Sequence, residues 1–202
     1  MSATRRIVIT GGPCAGKTSA MDALQARFQS EGRRAVFVPE AATDLILSGI
    51  APWTCSSMLE FQTQVIALQL KREAKAFGQA EELGAGTMVV CDRGICDSHA
   101  YLSSGDYRCA LQANGLDEKA ALARYDAVFH LESVAKANPA AYTRANNGAR
   151  FENAAEAIDA DNRGIAAWAA HPHVHLIPNE EMFEQKAQNL LRAIDEEAWF
   201  AG

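Results

Sequence analysis

The chain has 202 residues, of which 49% are hydrophobic and 22% charged, and its formal net charge at pH 7 is -6. At roughly 150 residues per domain, this length favours a single domain over residues 1–202, and the composition is that of a folded protein rather than a disordered one. The acidic balance leaves no positive field to hold a polyanion, so we expect no nucleic acid partner.

The N-terminus and the cysteines indicate a cytoplasmic protein. The apolar run that follows the N-terminal arginines is far shorter than a secretory signal, and no later run approaches the length of a transmembrane helix. Five cysteines are an odd number and include no CxxC pair, so we expect reduced thiols (Cys14, Cys55, Cys91, Cys96 and Cys109).

Short apolar runs rich in valine and isoleucine alternate with longer segments of helical spacing. The runs predict strands at 7–10, 35–38, 88–91, 127–131 and 173–177. The longer segments predict helices at about 17–31, 57–78, 153–170 and 180–198. This alternation is typical of an α/β fold with three layers, in which a mainly parallel five-stranded sheet carries helices on both faces. In the second helix, Met58, Phe61, Val65 and Leu68 are expected to form one buried stripe.

The first predicted strand runs into GGPCAGKT and then into a helix, which is the pattern of a phosphate-binding P-loop. Its glycines let successive amides point at phosphate oxygens, and the helix adds the positive end of its dipole. Lys17 is expected to meet the β- and γ-phosphates, and the Thr18 hydroxyl is expected to bind magnesium. The predicted nucleotide-binding residues are Gly11, Gly12, Pro13, Cys14, Ala15, Gly16, Lys17, Thr18 and Ser19.

Two carboxylates follow the next two predicted strands. Glu40 comes after the second strand, and Asp92 with Arg93 ends the third. Because ligands of parallel sheets collect at the carboxyl ends of the strands, these residues are expected beside the P-loop. Asp92 is the better magnesium partner, and Glu40 is then available as a base for a substrate hydroxyl. The alternative is that either carboxylate serves the N-terminus of the helix that follows it.

At these residues the sequence resembles P-loop kinases of the nucleoside and thymidylate kinase type. It resembles more closely the P-loop ATPases of AAA type that are similar to the nicotinamide-riboside-kinase domain and to the photoreceptor translocation-defect protein. The resemblance spans nearly the whole chain, and the segments that carry it are GGPCAGKT, VPEAAT, EFQTQ, VVCDRG, NNGARFE and HPHVHLIPN.

The resemblance implies roles for individual residues. It makes Glu40 the base, Gln62 the residue that holds the substrate's base, and Asp92 with Arg93 the pair that handles magnesium and substrate. A solvated position remains the alternative for Gln62. The resemblance also makes residues 142–168 a lid, in which Arg150, and then Arg144 and Arg163, would close over the phosphates. The alternative for these arginines is pairing with Glu152, Asp159 and Asp161 as exposed helix charges.

The preferred hypothesis is an ATP-dependent phosphotransferase that uses magnesium and acts on a small nucleoside-like or metabolite acceptor. The first alternative is a nucleotide-gated module or slow NTPase whose lid signals to a protein or lipid partner, and a further one is a protein that holds ATP only as a structural ligand. The chain lacks an NKxD-like segment, so guanine preference is not indicated, although GTP remains possible. It also lacks the length of a full AAA+ module, and ring assembly is not expected.

Three alternating histidines near the last predicted strand have a spacing that could in principle bind a metal. His171, His173 and His175 alternate and would project to one face of a strand. With no cysteine or carboxylate alternating among them, a surface or core-edge cluster is favoured over a metal site.

Overall fold

The computed structural model describes residues 4–137 and 153–197. The strands are β1 Arg5–Gly11, β2 Ala35–Val38, β3 Met88–Asp92, β4 Ala127–Leu131 and β5 Val174–Ile177. The helices are α1 Lys17–Ser30, α2 Ala41–Leu47, α3 Met58–Leu83, α4 Ser104–Ala113, α5 Glu118–Leu122, α6 Val134–Ala137, α7 Ala154–Ala167 and α8 Phe183–Glu196. A 3-10 helix, Ile95–Tyr101, follows β3.

The five strands form one parallel sheet in the order β2-β3-β1-β4-β5. In the register, Ile9 of β1 lies beside Asp92 of β3, and Gly11 lies beside Leu131 of β4. The carboxyl ends of the three central strands therefore meet at one edge of the sheet. The predicted α/β fold with a parallel sheet and helices on both faces is confirmed.

Alternate residues of the strands feed two cores, one on each face of the sheet. On one face, Val8 and Val128 pack with Ile66 of α3 and Trp168 at the end of α7. On the other face, the core is built around α1 and α8 and contains Ile7, Ile9, Leu24, Phe129, Leu190 and Ile194. Because both faces are covered, the central strands read as continuous apolar runs instead of alternating ones.

Helix α3 has clear signals at both ends and a buried face that differs from the predicted one. The Ser57 side chain accepts the amide of Glu60 at 3.1 Å at the start, and Gly84, with φ 98°, ends the helix. The predicted stripe is wrong at Met58, which is 39% exposed. The buried face instead consists of Phe61, Gln62, Ile66, Gln69, Glu73, Ala76 and Ala80, and includes three polar side chains that hydrophobic periodicity does not detect.

Four further helices, α2, α4, α5 and α6, together with the 3-10 helix, lie outside the four predicted helix ranges. They are short, and tertiary packing rather than intrinsic propensity stabilises helices of this length. None of the described helices combines the length and the apolar character that a membrane crossing requires.

Candidate functional site

The P-loop, residues 11–18, joins β1 to α1 and turns sharply at its end. Gly16, with φ 79°, lies at the N-cap of α1, in a backbone conformation that glycine adopts at little cost. Cys14 also has a positive φ, 57°, although it carries a side chain. Thr18 and Ser19 lie exposed in the first turn of α1, where the amides and the helix dipole favour an anion.

Lys17 and Asp92 form an ion pair at the sheet edge. The Nζ atom of Lys17 donates to Oδ1 of Asp92 at 2.5 Å, and both side chains are largely buried. Burial raises the pKa of the Asp92 carboxyl, and the charge of Lys17 opposes that rise. The N-cap of the following 3-10 helix is Gly94, whose amide is bound by Asp97, so the structure does not use Asp92 as a helix cap.

Thr18 and Asp92 fit a magnesium site on the chemistry of their oxygens. A hydroxyl in the first turn of α1 and a carboxylate at the end of β3 are hard oxygen donors, and magnesium is commonly held by one or two such groups together with phosphate and water oxygens. Across the described ranges, no group of three or more His, Cys, Asp or Glu side chains could hold a metal ion. An ion here would therefore need phosphate oxygens to complete its coordination.

Glu40 and Arg93 form a second ion pair. Oε1 of Glu40 accepts from Nε of Arg93 at 2.6 Å, and Oε2 accepts from the hydroxyl of Thr43 at 2.8 Å. Glu40 occupies the N-cap of α2, but its side chain makes no capping hydrogen bond. Burial raises the pKa of Glu40, but the charges of Arg93 and Lys17, together with the hydrogen bonds from Thr43 and Arg93, bring the pKa below its ordinary value. Glu40 is therefore a charged but weakly basic carboxylate.

The backbone of Arg93 has φ 64°, which is uncommon for a residue with a side chain, and several contacts fix it. Its amide donates to the carbonyl of Ile9 at 3.0 Å, and its carbonyl accepts from Nε2 of Gln69 at 3.1 Å. Its guanidinium lies 3.7 Å from Asp97. Gln69 and Asp97 are buried functional candidates that the sequence reasoning missed, because neither belongs to a recognised pattern.

Buried Glu73 of α3 lies behind Gln69. Oε1 of Glu73 accepts from Nε2 of Gln69 at 3.1 Å and from the hydroxyl of Tyr125 at 2.7 Å. Oε2 accepts from Nη2 of Arg124 at 2.9 Å and from Arg6 at 3.3 Å. A carboxylate with this many donors is stable without water, and it holds Gln69 in place beneath Arg93.

A cavity of about 210 Å³ opens beside the Glu40 and Arg93 pair. Gln62 lines it and is only 5% exposed, so the alternative of a solvated glutamine does not hold. Within the described part of the chain, its only hydrogen-bond contact is a weak one at 3.8 Å, from Nε2 to the sulfur of Met58. The other lining residues include Phe61, Val65, Ile95, Asp97, Ser98 and Tyr101.

The predicted lid is only partly described. Arg144 and Arg150 lie outside the described residues. Arg163 is described, and it pairs with Asp159 one turn earlier and donates to the carbonyl of Ala100 at 3.0 Å. Both side chains of this pair are at least half exposed, so Arg163 matches the alternative of an exposed helix charge.

The alternating histidines lie in different surroundings and do not belong to any group of three or more metal-ligating side chains among the described residues. His171 is buried, with its ring nitrogens against the carbonyls of Tyr125 and His173, and His175 contacts Glu197 at 2.5 Å. All five cysteines lie in the described part of the chain, and no disulfide joins any two of them.

A family model described as an AAA domain matches residues 6–186. The chain belongs to this family. The match takes in the P-loop, four whole strands, all but the first residue of β1, and both ion pairs of the AAA-family domain. It supports nucleotide binding and hydrolysis as the general chemistry of the domain. A search of curated proteins finds no match.

Proposed function

We propose that this AAA-family domain is a magnesium- and ATP-dependent phosphotransferase that acts on a small nucleoside-like acceptor. The observation that carries the proposal is the cavity beside Glu40 and Arg93, on the same sheet edge as the P-loop. A domain that only hydrolyses nucleotide needs no second cavity there. The charge of Lys17 lowers the pKa of Glu40, and Glu40 lines the cavity. The cavity therefore lies within electrostatic reach of the phosphate site.

Each residue has a role in this reaction. The P-loop amides and Lys17 would hold the triphosphate, and Thr18 and Asp92 would hold magnesium, which supplies charge neutralisation for the transferring phosphoryl group. Glu40 would accept a hydrogen bond from the acceptor hydroxyl and orient it, since its lowered pKa makes it a weak base. Arg93 would fix Glu40 and position the acceptor.

The lining of the cavity favours a nucleoside-like acceptor over a phosphorylated one. Arg93 is already paired with Glu40 and lies near Asp97, and the described lining offers no other cation for a phosphate. The amide of Gln62 offers a donor and an acceptor between the apolar side chains of Phe61 and Val65. A planar ring with polar edges fits this arrangement.

The test is a transfer assay with ATP and magnesium over a panel of nucleosides and nucleoside monophosphates, followed by mass detection of the product. We expect transfer to a nucleoside, at least a tenfold loss with Glu40→Gln, and no loss with the exposed control Glu82→Gln. Gln62→Leu should raise KM for the acceptor and leave KM for ATP unchanged. ATP that is bound and slowly hydrolysed without transfer to any acceptor would contradict the proposal and favour a nucleotide-gated module.

A further inference from the structure

Three buried side chains from three separate parts of the chain hold the backbone of the P-loop. Oδ1 of Asp161 on α7 accepts the amide of Gly12 at 2.9 Å. The hydroxyl of Ser133, after β4, donates to the carbonyl of Pro13 at 2.5 Å, and Nζ of Lys186 on α8 donates to the carbonyl of Ala15 at 2.8 Å. Asp161 and Ser133 are fully buried, and Lys186 is 3% exposed.

Asp161 is the centre of this arrangement. The same Oδ1 atom also accepts from Nε2 of His130 at 3.0 Å and from the amide of Ser133 at 3.2 Å. Nζ of Lys136 lies 2.7 Å from Oδ2. A buried carboxylate with three hydrogen-bond donors and an ammonium beside it is ionised and rigidly held, because each of these groups favours the charged form and limits its movement.

The fit between α7 and the P-loop leaves no spare room. A Cβ atom added at Gly12 would lie 2.6 Å from Cβ of Asp161, closer than such atoms approach in real proteins. At Gly164, one turn further along α7, an added Cβ would lie 3.3 Å from the ring of His130. The missing side chain at Gly12 therefore allows α7 to approach the loop closely enough for the hydrogen bond between Asp161 and Gly12, and Gly164 allows α7 to pack closely on His130 of β4.

We propose that Asp161 is a positioning residue for the phosphates of the bound nucleotide, because it holds the Gly12 amide and thereby fixes the P-loop in its phosphate-binding conformation. A phosphate is bound by several backbone amides that must converge at once. A loop that is already ordered loses little conformational entropy on binding, whereas a loosened loop loses more and binds more weakly. The Gly12 amide, which the sequence predicted as a phosphate donor, is used by Asp161 instead, so Asp161 acts on the phosphates by fixing the backbone that carries the other loop amides.

The test uses magnesium tripolyphosphate, a probe with no base or sugar, and measures its binding by calorimetry. The variants are Asp161→Ala, which removes the acceptor, and Asp161→Asn, which keeps one acceptor oxygen. Asp159→Ala is the matched control, since it removes an exposed carboxylate from the same helix. Each variant is measured well below its own unfolding temperature, so that loss of stability does not count as loss of affinity.

We expect Asp161→Ala to weaken tripolyphosphate binding by about tenfold or more, since a hydrogen bond to a charged group is lost. Asp161→Asn should restore most of the affinity, and Asp159→Ala should bind like the wild type. A folded Asp161→Ala protein with unchanged affinity would overturn the proposal, as would an Asp161→Asn variant that binds as weakly as Asp161→Ala. If Asp161→Ala does not fold, Asp161→Ser replaces it, and failure of both to fold would establish a purely structural role instead.

Discussion

Nζ of Lys17 lies 2.5 Å from Oδ1 of Asp92, and this contact joins the residue expected on the phosphates to the residue expected on magnesium. The two side chains come from α1 and β3 and are separated by 75 positions in the chain. The register that places Ile9 beside Asp92 brings them together. Because each neutralises the other, a change to either one alters the charge of the phosphate site.

Asp92→Asn should abolish the magnesium dependence of nucleotide binding. The wild type should bind ATP more tightly with magnesium than without it, because Asp92 shares the ion with the phosphates. In the variant we expect ATP to bind with similar affinity in the presence and in the absence of magnesium. The ratio of these two affinities should be about tenfold or more smaller than in the wild type. Calorimetric titration of ATP with magnesium and with a chelator measures the difference. The exposed Asp22→Asn is the control, and a variant that keeps the full magnesium effect would remove Asp92 from the metal site.

Arg93→Met should raise the pKa of Glu40. In the wild type, the charges of Arg93 and Lys17 and the hydrogen bonds from Arg93 and Thr43 together overcome the effect of burial, so Glu40 stays charged until the pH falls below the ordinary value of 4.5. Without the guanidinium, burial prevails and the acid limb of the rate of transfer should move towards neutral pH. By linkage, the stability contributed by the charged Glu40 in the wild type is present above pH 4.5 and is lost as the pH falls through the lowered pKa. In the variant, where the folded pKa lies above 4.5, the contribution changes sign, so the charged Glu40 destabilises the fold and its protonation restores stability as the pH falls.

The measurement for Arg93→Met is the pH dependence of both the transfer rate and the free energy of unfolding, with Arg108→Met, which changes an exposed arginine, as control. Acid limbs at the same pH in the variant and the wild type would show that Arg93 does not set the charge of Glu40.

Glu73→Ala should be the most destabilising change at the site. It leaves the guanidiniums of Arg6 and Arg124 and the hydroxyl of Tyr125 without their shared acceptor. Breaking such a buried ion pair costs about 3 to 5 kcal/mol in free energy of unfolding. Urea denaturation measures the loss, and the exposed Glu82→Ala on the same helix should change it by less than about 0.5 kcal/mol. A loss below about 1 kcal/mol would mean that the cluster relaxes or admits water.

Lys186 should make nucleotide affinity depend on pH near 8. Burial lowers its pKa to about 8, with the charges of Asp161 and Glu132 opposing this. As the pH rises through that value, Nζ loses one of the protons that it shares with the carbonyls of Ala15 and Glu132 and with Asn179. We expect ATP affinity to fall about fivefold as the P-loop loses this support.

The same titration has the opposite sign for stability. Between pH 8 and the ordinary value of 10.5, the unfolded chain binds more protons at Lys186 than the folded chain does, so this residue's contribution to the free energy of unfolding rises. Lys186→Met should bind ATP weakly at all pH values and lose both effects. The exposed Lys119→Met should keep them, and an unchanged pH dependence in Lys186→Met would assign the titration to another group.

The site divides into residues that the sequence could predict and residues that it could not. Glu40, Asp92 and Arg93 were predictable, because each follows a strand and parallel strands end at a common edge. Gln69 and Glu73 were not, because a polar residue in a helix is expected to face water unless a partner is known. Their partners, Arg93 and Arg124, lie 24 and 51 positions away.

The sequence by itself determined the fold class, the position of the P-loop and the residues that follow the strands, because these depend on local patterns of apolar residues, glycines and one lysine. Tertiary structure decided what supports the loop. Asp161 meets Gly12 across 149 positions, and Lys186 meets Ala15 across 171. Only the packing of α7 and α8 against the sheet brings these groups within hydrogen-bond distance, since a short-range polar contact requires proximity that no local pattern specifies.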